Sequence, residues 1–223
     1  MNTPRILLLA ACASAAWSQV ATQANQHYQT AAGREEIAQS LISPERNATE
    51  HPQELVDAMH LKPGMTVADI GTGPGYMLPY LSRAVGPTGN VVAEDIFADF
   101  LAAARKRATQ FHLDNVSFDK GIETDPHLAD RSLDVILALD SYHHYNYPAQ
   151  MLAAFSQALR DRGRLIVVDY YKRPDAMPGG FAMRHIRLDK PGVVREIESH
   201  GFQEVSDHDH IPGKQYMVVF EKK

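Results

Sequence analysis

A chain of 223 residues with 44% hydrophobic residues carries enough apolar material for one domain with a sizeable core. Its formal charge of -5 argues against a nucleic-acid partner, because a phosphate backbone is held by clustered Lys and Arg. The single cysteine, Cys12, excludes both a disulfide framework and a cysteine-built zinc site.

Residues 1–18 read as a signal peptide rather than as fold. Arg5 supplies a positive start, 6–16 are apolar but too short to span a bilayer, and Ala16-Trp17-Ser18 is a small-x-small cleavage site. Leu9-Ala10-Ala11-Cys12 also reads as a lipobox, with a lipid anchor at Cys12 as the alternative. Either way the expectation is an exported protein, periplasmic in a bacterium, with no transmembrane helix in the mature chain. Residues 19–50 form a polar, alanine-rich arm, and 51–223 form the domain. Pro52 suits a first helical position, with Leu55, Val56 and Met59 on one face.

Residues 67–76, Val-Ala-Asp-Ile-Gly-Thr-Gly-Pro-Gly-Tyr, run from a buried strand into a glycine turn, and Leu78, Leu81 and Val85 then line one helical face. Glycines leave no Cβ between backbone and ligand, and a helix start offers unpaired N–H groups. A dinucleotide fingerprint wants G-x-G-x-x-G, but Tyr76 stands where the third glycine falls; no Gly-Lys-Ser/Thr follows, which excludes a phosphate loop. Strand 90–95 ends in Glu94-Asp95, just past twenty residues from Gly71, where a doubly wound fold sets an acid on ribose hydroxyls. Side-chain alternation admits one of the two, Asp95. A helix over 99–111 buries Leu101, Ala104, Ala108 and Phe111 and solvates Arg105, Lys106 and Arg107. Strand 115–118 follows. The apolar run 132–140 suits a central strand buried on both faces, ending at Asp140. Next come a helix (148–160), a strand (164–170), a Pro/Gly-rich lid (171–188) carrying Arg184, His185 and Arg187, a helix around Val193, Val194 and Ile197, and a hairpin of 203–210 with 215–221. The whole reads as α/β: a doubly wound, mostly parallel seven-stranded sheet with a C-terminal antiparallel hairpin.

Asp69-Ile70-Gly71-Thr72-Gly73-Pro74-Gly75-Tyr76, taken with Ala93-Glu94-Asp95-Ile96, resembles motif I and the strand-two acid of the class I S-adenosylmethionine-dependent methyltransferases, a likeness that covers about 45–223. The resemblance implies S-adenosyl-L-methionine as cofactor. It would be held by Asp69, Gly71, Thr72, Gly73, Gly75 and Tyr76 from motif I, by Asp95 and Ile96, and by Asp140. The family's Gly-Asp that meets adenine is displaced after Gly121, so Glu123 is the first choice for that contact, Asp125 the reserve, and the Ile122 N–H a helper. Arg46 and His51 are candidates to fold over the cofactor, with exposed surface residues as the plainer reading. Asp140-Ser141-Tyr142-His143-His144-Tyr145 resembles the Tyr-His-His segment of small-molecule members. His143 is the leading catalytic base, since imidazole titrates near pH 6.5, and His144 and Tyr142 are fallbacks; all three are equally suited to wall the pocket. No metal is expected, because adjacent histidines point apart and no third ligand is placed, while His208 and His210 read as a solvated edge. The implied activity is methyl transfer to a small molecule, and the alternative is an exported binding module that keeps the fold. Nothing bears on oligomeric state.

Trp17 is the chain's only tryptophan. Protein recovered from the cell envelope after cleavage beyond Ser18 will show no tryptophan emission; emission from a sample with an intact N-terminus would sink that cleavage site.

Overall fold

The computed structural model describes residues 20–223, so the leader, Cys12 and Trp17 lie outside the described residues. The arm contributes α1 (Ala31–Leu41), whose first turn is capped by Thr30 accepting from the Gly33 N–H at 3.0 Å, and α2 (Arg46–Glu50). Pro52 opens α3 (Pro52–Ala58), its missing N–H costing nothing at a helix start. The domain then alternates β1 (Thr66–Ile70), α4 (Leu78–Val85), β2 (Asn90–Asp95), α5 (Ala98–Gln110), β3 (Val116–Lys120), β4 (Leu133–Leu139), α6 (Pro148–Ala158) and β5 (Leu159–Tyr170). It closes with α7 (Ala182–His185), α8 (Lys190–Glu198), β6 (Phe202–Ile211) and β7 (Gln215–Lys222). Among the described residues no helix is long and apolar enough to cross a membrane.

The strands form a seven-stranded sheet in the order β3-β2-β1-β4-β5-β7-β6. Neighbours from β3 to β5 are parallel, and β7 runs antiparallel to both β5 and β6. The doubly wound sheet and its terminal hairpin are as the hydrophobic pattern predicts. Period-two alternation divides the core between two faces. Ala68, Ile70, Ile136 and Ala138 pack with Leu152, Phe155 and Ile197 on one side, while Val67, Val135 and Leu137 pack with Leu55, Leu81 and Ala104 on the other. Both faces of β1 and β4 are therefore dry, which is why each reads as a nearly continuous apolar run.

Three local expectations change. Phe111 is 45% exposed, because α5 ends one residue earlier and Phe100 takes the inward position. Arg105 and Arg107 are not simply solvated: they stack on Phe118 and Phe111. Leu159 is buried not as the end of α6 but as the first residue of β5, paired with Leu133.

Gly75 does the close packing that a dinucleotide fingerprint assigns to its third glycine. Its φ is +82°, and a Cβ there would sit 2.7 Å from Leu78 Cδ1 and 3.2 Å from the Ala104 backbone. Gly75→Ala will therefore destabilise the fold by about 2–4 kcal/mol, summing overpacking and left-handed strain. A denaturant midpoint unchanged from the parent would contradict this packing.

Candidate active site

The strand order reverses between β1, which leads outward to β2 and β3, and β4, which leads to β5. Connections therefore leave in opposite directions and open a crevice at the carboxyl ends of the strands, the usual ligand position in such sheets. Its wall is made by the Gly71-Thr72-Gly73-Pro74 loop, the ends of β2 and β4, residues 122–123 and the arm.

Each acid arrives at the end of a strand. Asp69 is buried and accepts from Thr72 Oγ1 at 2.7 Å; burial pushes its carboxyl up to about 6. Asp95 accepts from the Gly73 N–H and the Phe97 N–H, both at 2.9 Å. Burial raises it to about 7 despite those two donors. Contrary to strict alternation, Glu94 also reaches the wall, because the crevice wraps around the end of β2. Its Oε1 has no hydrogen-bond partner and points under Gly121, and burial with Asp95 beside it holds its carboxyl well above the usual range. Asp140 sits at φ +50°, accepts from Gln215 Nε2 at 3.0 Å and pairs with Arg46 at 3.3 Å; burial and then Glu50 raise it.

Thr72, Gly71, Gly73, Tyr76 and Ile96 line the crevice, whereas Gly75 serves packing. Glu123 lines it too and accepts from Asn146 Nδ2 at 2.8 Å. Ile122 contributes its side chain alone, because its N–H is already donated to the Asp125 carbonyl at 2.8 Å. Asp125 caps the His127 N–H at 2.8 Å and is not part of the wall. Arg46 does fold over the crevice, stacked on Tyr76 at 4.2 Å, while His51 stays at the surface paired with Glu54. Sequence reasoning missed Asn25, Tyr28 and Leu41, for which the arm's polar, aperiodic composition carries no signal, and Asn146, just beyond the Tyr142–His144 turn.

The Tyr142–His144 turn divides its side chains. Tyr142 is fully buried, and its hydroxyl donates to Glu196 Oε1 at 2.7 Å, beside the Arg187–Glu196 ion pair. It supports the lid and does not face the crevice, and Arg187 is likewise occupied. Arg184 lies over Phe181 at 4.7 Å. His144 stands on the wall, edge-on to Tyr28 at 4.8 Å. His143 is buried behind it with Nδ1 at 2.7 Å from Asp169 Oδ1. The expectation that the two imidazoles point apart is corrected: their centroids lie 4.1 Å apart, and His185 from α7 brings Nε2 within 3.2 Å of His143 Nε2. His210 instead reaches the Glu50 carbonyl at 2.8 Å.

The family described as Methyltransferase domain matches residues 61–211. The chain belongs to it. A crystal structure of a SAM dependent methyltransferase from Aquifex aeolicus superposes with a TM-score of 0.77 at 25% identity, over 84% of this chain and 98% of that one. Phosphoethanolamine N-methyltransferase 1 of Arabidopsis thaliana is 29% identical over 78% of this chain, and the ubiquinone/menaquinone biosynthesis C-methyltransferase of Hahella chejuensis is 30% identical over 52%. The chain spans only 35% and 47% of those two relatives' lengths.

The raised carboxyls set a pH dependence. In the unfolded chain Asp titrates near 3.9, but folded Asp69 and Asp95 do so at about 6 and about 7. The folded state therefore holds extra protons in the window between, and their stabilisation, full below the unfolded value, is lost as pH rises through the folded ones. Asp95→Asn, which cannot ionise, will gain in melting temperature relative to the parent between pH 5 and pH 7.5. Parallel curves for the two proteins would contradict the burial assigned to Asp95.

Proposed function

We propose that this chain transfers the methyl group of S-adenosyl-L-methionine to a small-molecule acceptor. The observation that carries the reading is the acid-lined crevice itself. Asp69, Glu94, Asp95, Glu123 and Asp140 line it, and Arg46 is the lone Lys or Arg among the lining residues. Such a wall suits a ligand bearing a sulfonium, an ammonium and vicinal hydroxyls. In this reading Asp95 accepts from the ribose hydroxyls, and Glu123 with Asn146 meets the adenine edge. The glycine loop with Asp69 and Asp140 suits the cationic amino-acid end. When bound, the sulfonium supplies an already activated methyl carbon, so the protein's task is alignment, worth on the order of 7–11 kcal/mol at best.

His144 closes the acceptor end, with His143 behind it on Asp169 and His185 on the lid. Burial holds His144 well below the ordinary histidine range and pushes His185 down to about 4, so both are neutral at pH 7. The reading extends to an exported protein, on the leader read in residues 1–18.

Calorimetric titration of the full chain with S-adenosylmethionine tests the proposal. Asp95→Ala will weaken binding at least tenfold, about 1.4 kcal/mol. Because the bound cation and hydroxyl donors favour ionised Asp95, the parent's affinity will rise between pH 5.5 and 7.5 with release of protons. Absence of heat from a folded sample would overturn the reading. Binding without turnover across a panel of small acceptors would leave a binding module in its place.

A further inference from the structure

We propose that Nε2 of His143, Nε2 of His144 and a ring nitrogen of His185 hold a divalent transition-metal ion of the zinc class at the acceptor end of the crevice. The ligand atoms of these histidines all lie within 4.8 Å of one another. His143 Nε2 and His185 Nε2 are 3.2 Å apart. Nitrogens about 2.0–2.1 Å from a tetrahedral zinc stand roughly 3.3–3.4 Å from each other, so this pair already spans one edge of the polyhedron. The third ligand atom lies within 4.8 Å of the other two.

The surrounding hydrogen bonds fix which nitrogen of His143 and of His144 is free. Buried Asp169 accepts at Oδ1 from the Tyr170 N–H at 2.8 Å and from His143 Nδ1 at 2.7 Å, so His143 carries a proton on Nδ1 and turns Nε2 toward His185. Asn25 Nδ2 donates to the His144 carbonyl at 2.9 Å, which orients the amide so that Oδ1 faces His144 Nδ1 at 2.8 Å. That ring too is protonated on Nδ1 and bare on Nε2. A carboxylate behind His143 and an amide carbonyl behind His144 are the arrangement that orients metal-bound histidines and raises their basicity. With His143 Nε2 bare, the 3.2 Å contact holds either the His185 Nε2 proton or a cation between the two nitrogens.

The set comes from two elements, the turn after β4 and α7 of the lid, so the ion ties the lid to the sheet. Three histidines leave a fourth tetrahedral position open, the pattern of a reactive rather than a structural site. Only the role of that position rests on the methyltransferase reading: it would take a hydroxyl or thiol of the acceptor, whose proton leaves to solvent on coordination. Attack on the methyl carbon then forms the new O–CH3 or S–CH3 bond. The sulfonium S–CH3 bond breaks, and its electron pair stays on the donor sulfur.

The test is metal titration of untagged full-length protein, stripped with chelator and dialysed, using Zn2+ by mass spectrometric metal analysis and Co2+ by visible absorption. One equivalent per chain with intense tetrahedral Co2+ bands is expected. His144→Ala and His185→Ala will each weaken binding at least tenfold, and Asp169→Asn will weaken it while keeping the stoichiometry. Folding is checked by circular dichroism, and His185, half-buried on the lid, can be removed without touching the core. A folded parent that takes up no more metal than His185→Ala overturns the site, as does binding that survives both histidine variants. S-adenosylmethionine titration of the same samples separates the two readings, since intact cofactor binding without metal uptake sinks this site alone.

Discussion

Four carboxylates with raised affinities for protons surround one crevice, Asp69, Glu94 and Asp95 buried and Asp140 partly buried, with Arg46 the guanidinium among the residues lining it. Desolvating an isolated carboxylate costs several kcal/mol, and hydrogen bonds from Thr72, Gly73, Phe97 and Gln215 recover only part of that cost. The sheet tolerates the arrangement because its two apolar faces supply the stabilisation that the strand ends forgo. A site built this way is poised for a cationic ligand with hydroxyl donors, whose arrival restores the ionised form of each acid.

The arm answers the same electrostatic demand from the other side. Arg46 reaches Asp140 and stacks on Tyr76, while the neighbouring Asn47 accepts from the Tyr76 hydroxyl at 3.0 Å. Glu50, at the end of α2, accepts from Tyr170 and Gln215, so the short helix is tied to β5 and β7 by polar contacts rather than by a buried apolar face. Such a cover adapts more readily than a packed one, which suits a segment that lies over a ligand. At the opposite end of the crevice, the Tyr142–Glu196–Arg187 network holds the lid against the sheet and carries His185 to His143.

Much of this was legible before any coordinates. Val67, Ala68 and Ile70 in β1, and the run from Leu133 to Leu139 in β4, announce strands dry on both faces, and the glycine spacing with Asp69 and Asp95 announces a crevice at their ends. Phe111 was misplaced because a helical period does not state where the helix stops, and a one-residue difference turns a buried position into an exposed one. Glu94 was set aside because alternation describes the middle of a strand, whereas a crevice that wraps the strand end reaches both faces.

The sequence by itself determined the strands and helices, their doubly wound class and the acids at the strand ends, since these follow from local periodicity and from where strands end; the strand order came from the tertiary structure. Tertiary structure alone decided which polar residues meet. Asn25 and His144 are 119 positions apart, Arg46 and Asp140 are 94 apart, and His143 and His185 are 42 apart. No local pattern encodes such pairings, because they depend on how the arm and the lid close over the strand ends. The division of Tyr142 from His144, one buried against Glu196 and the other on the crevice wall, follows from the same closure.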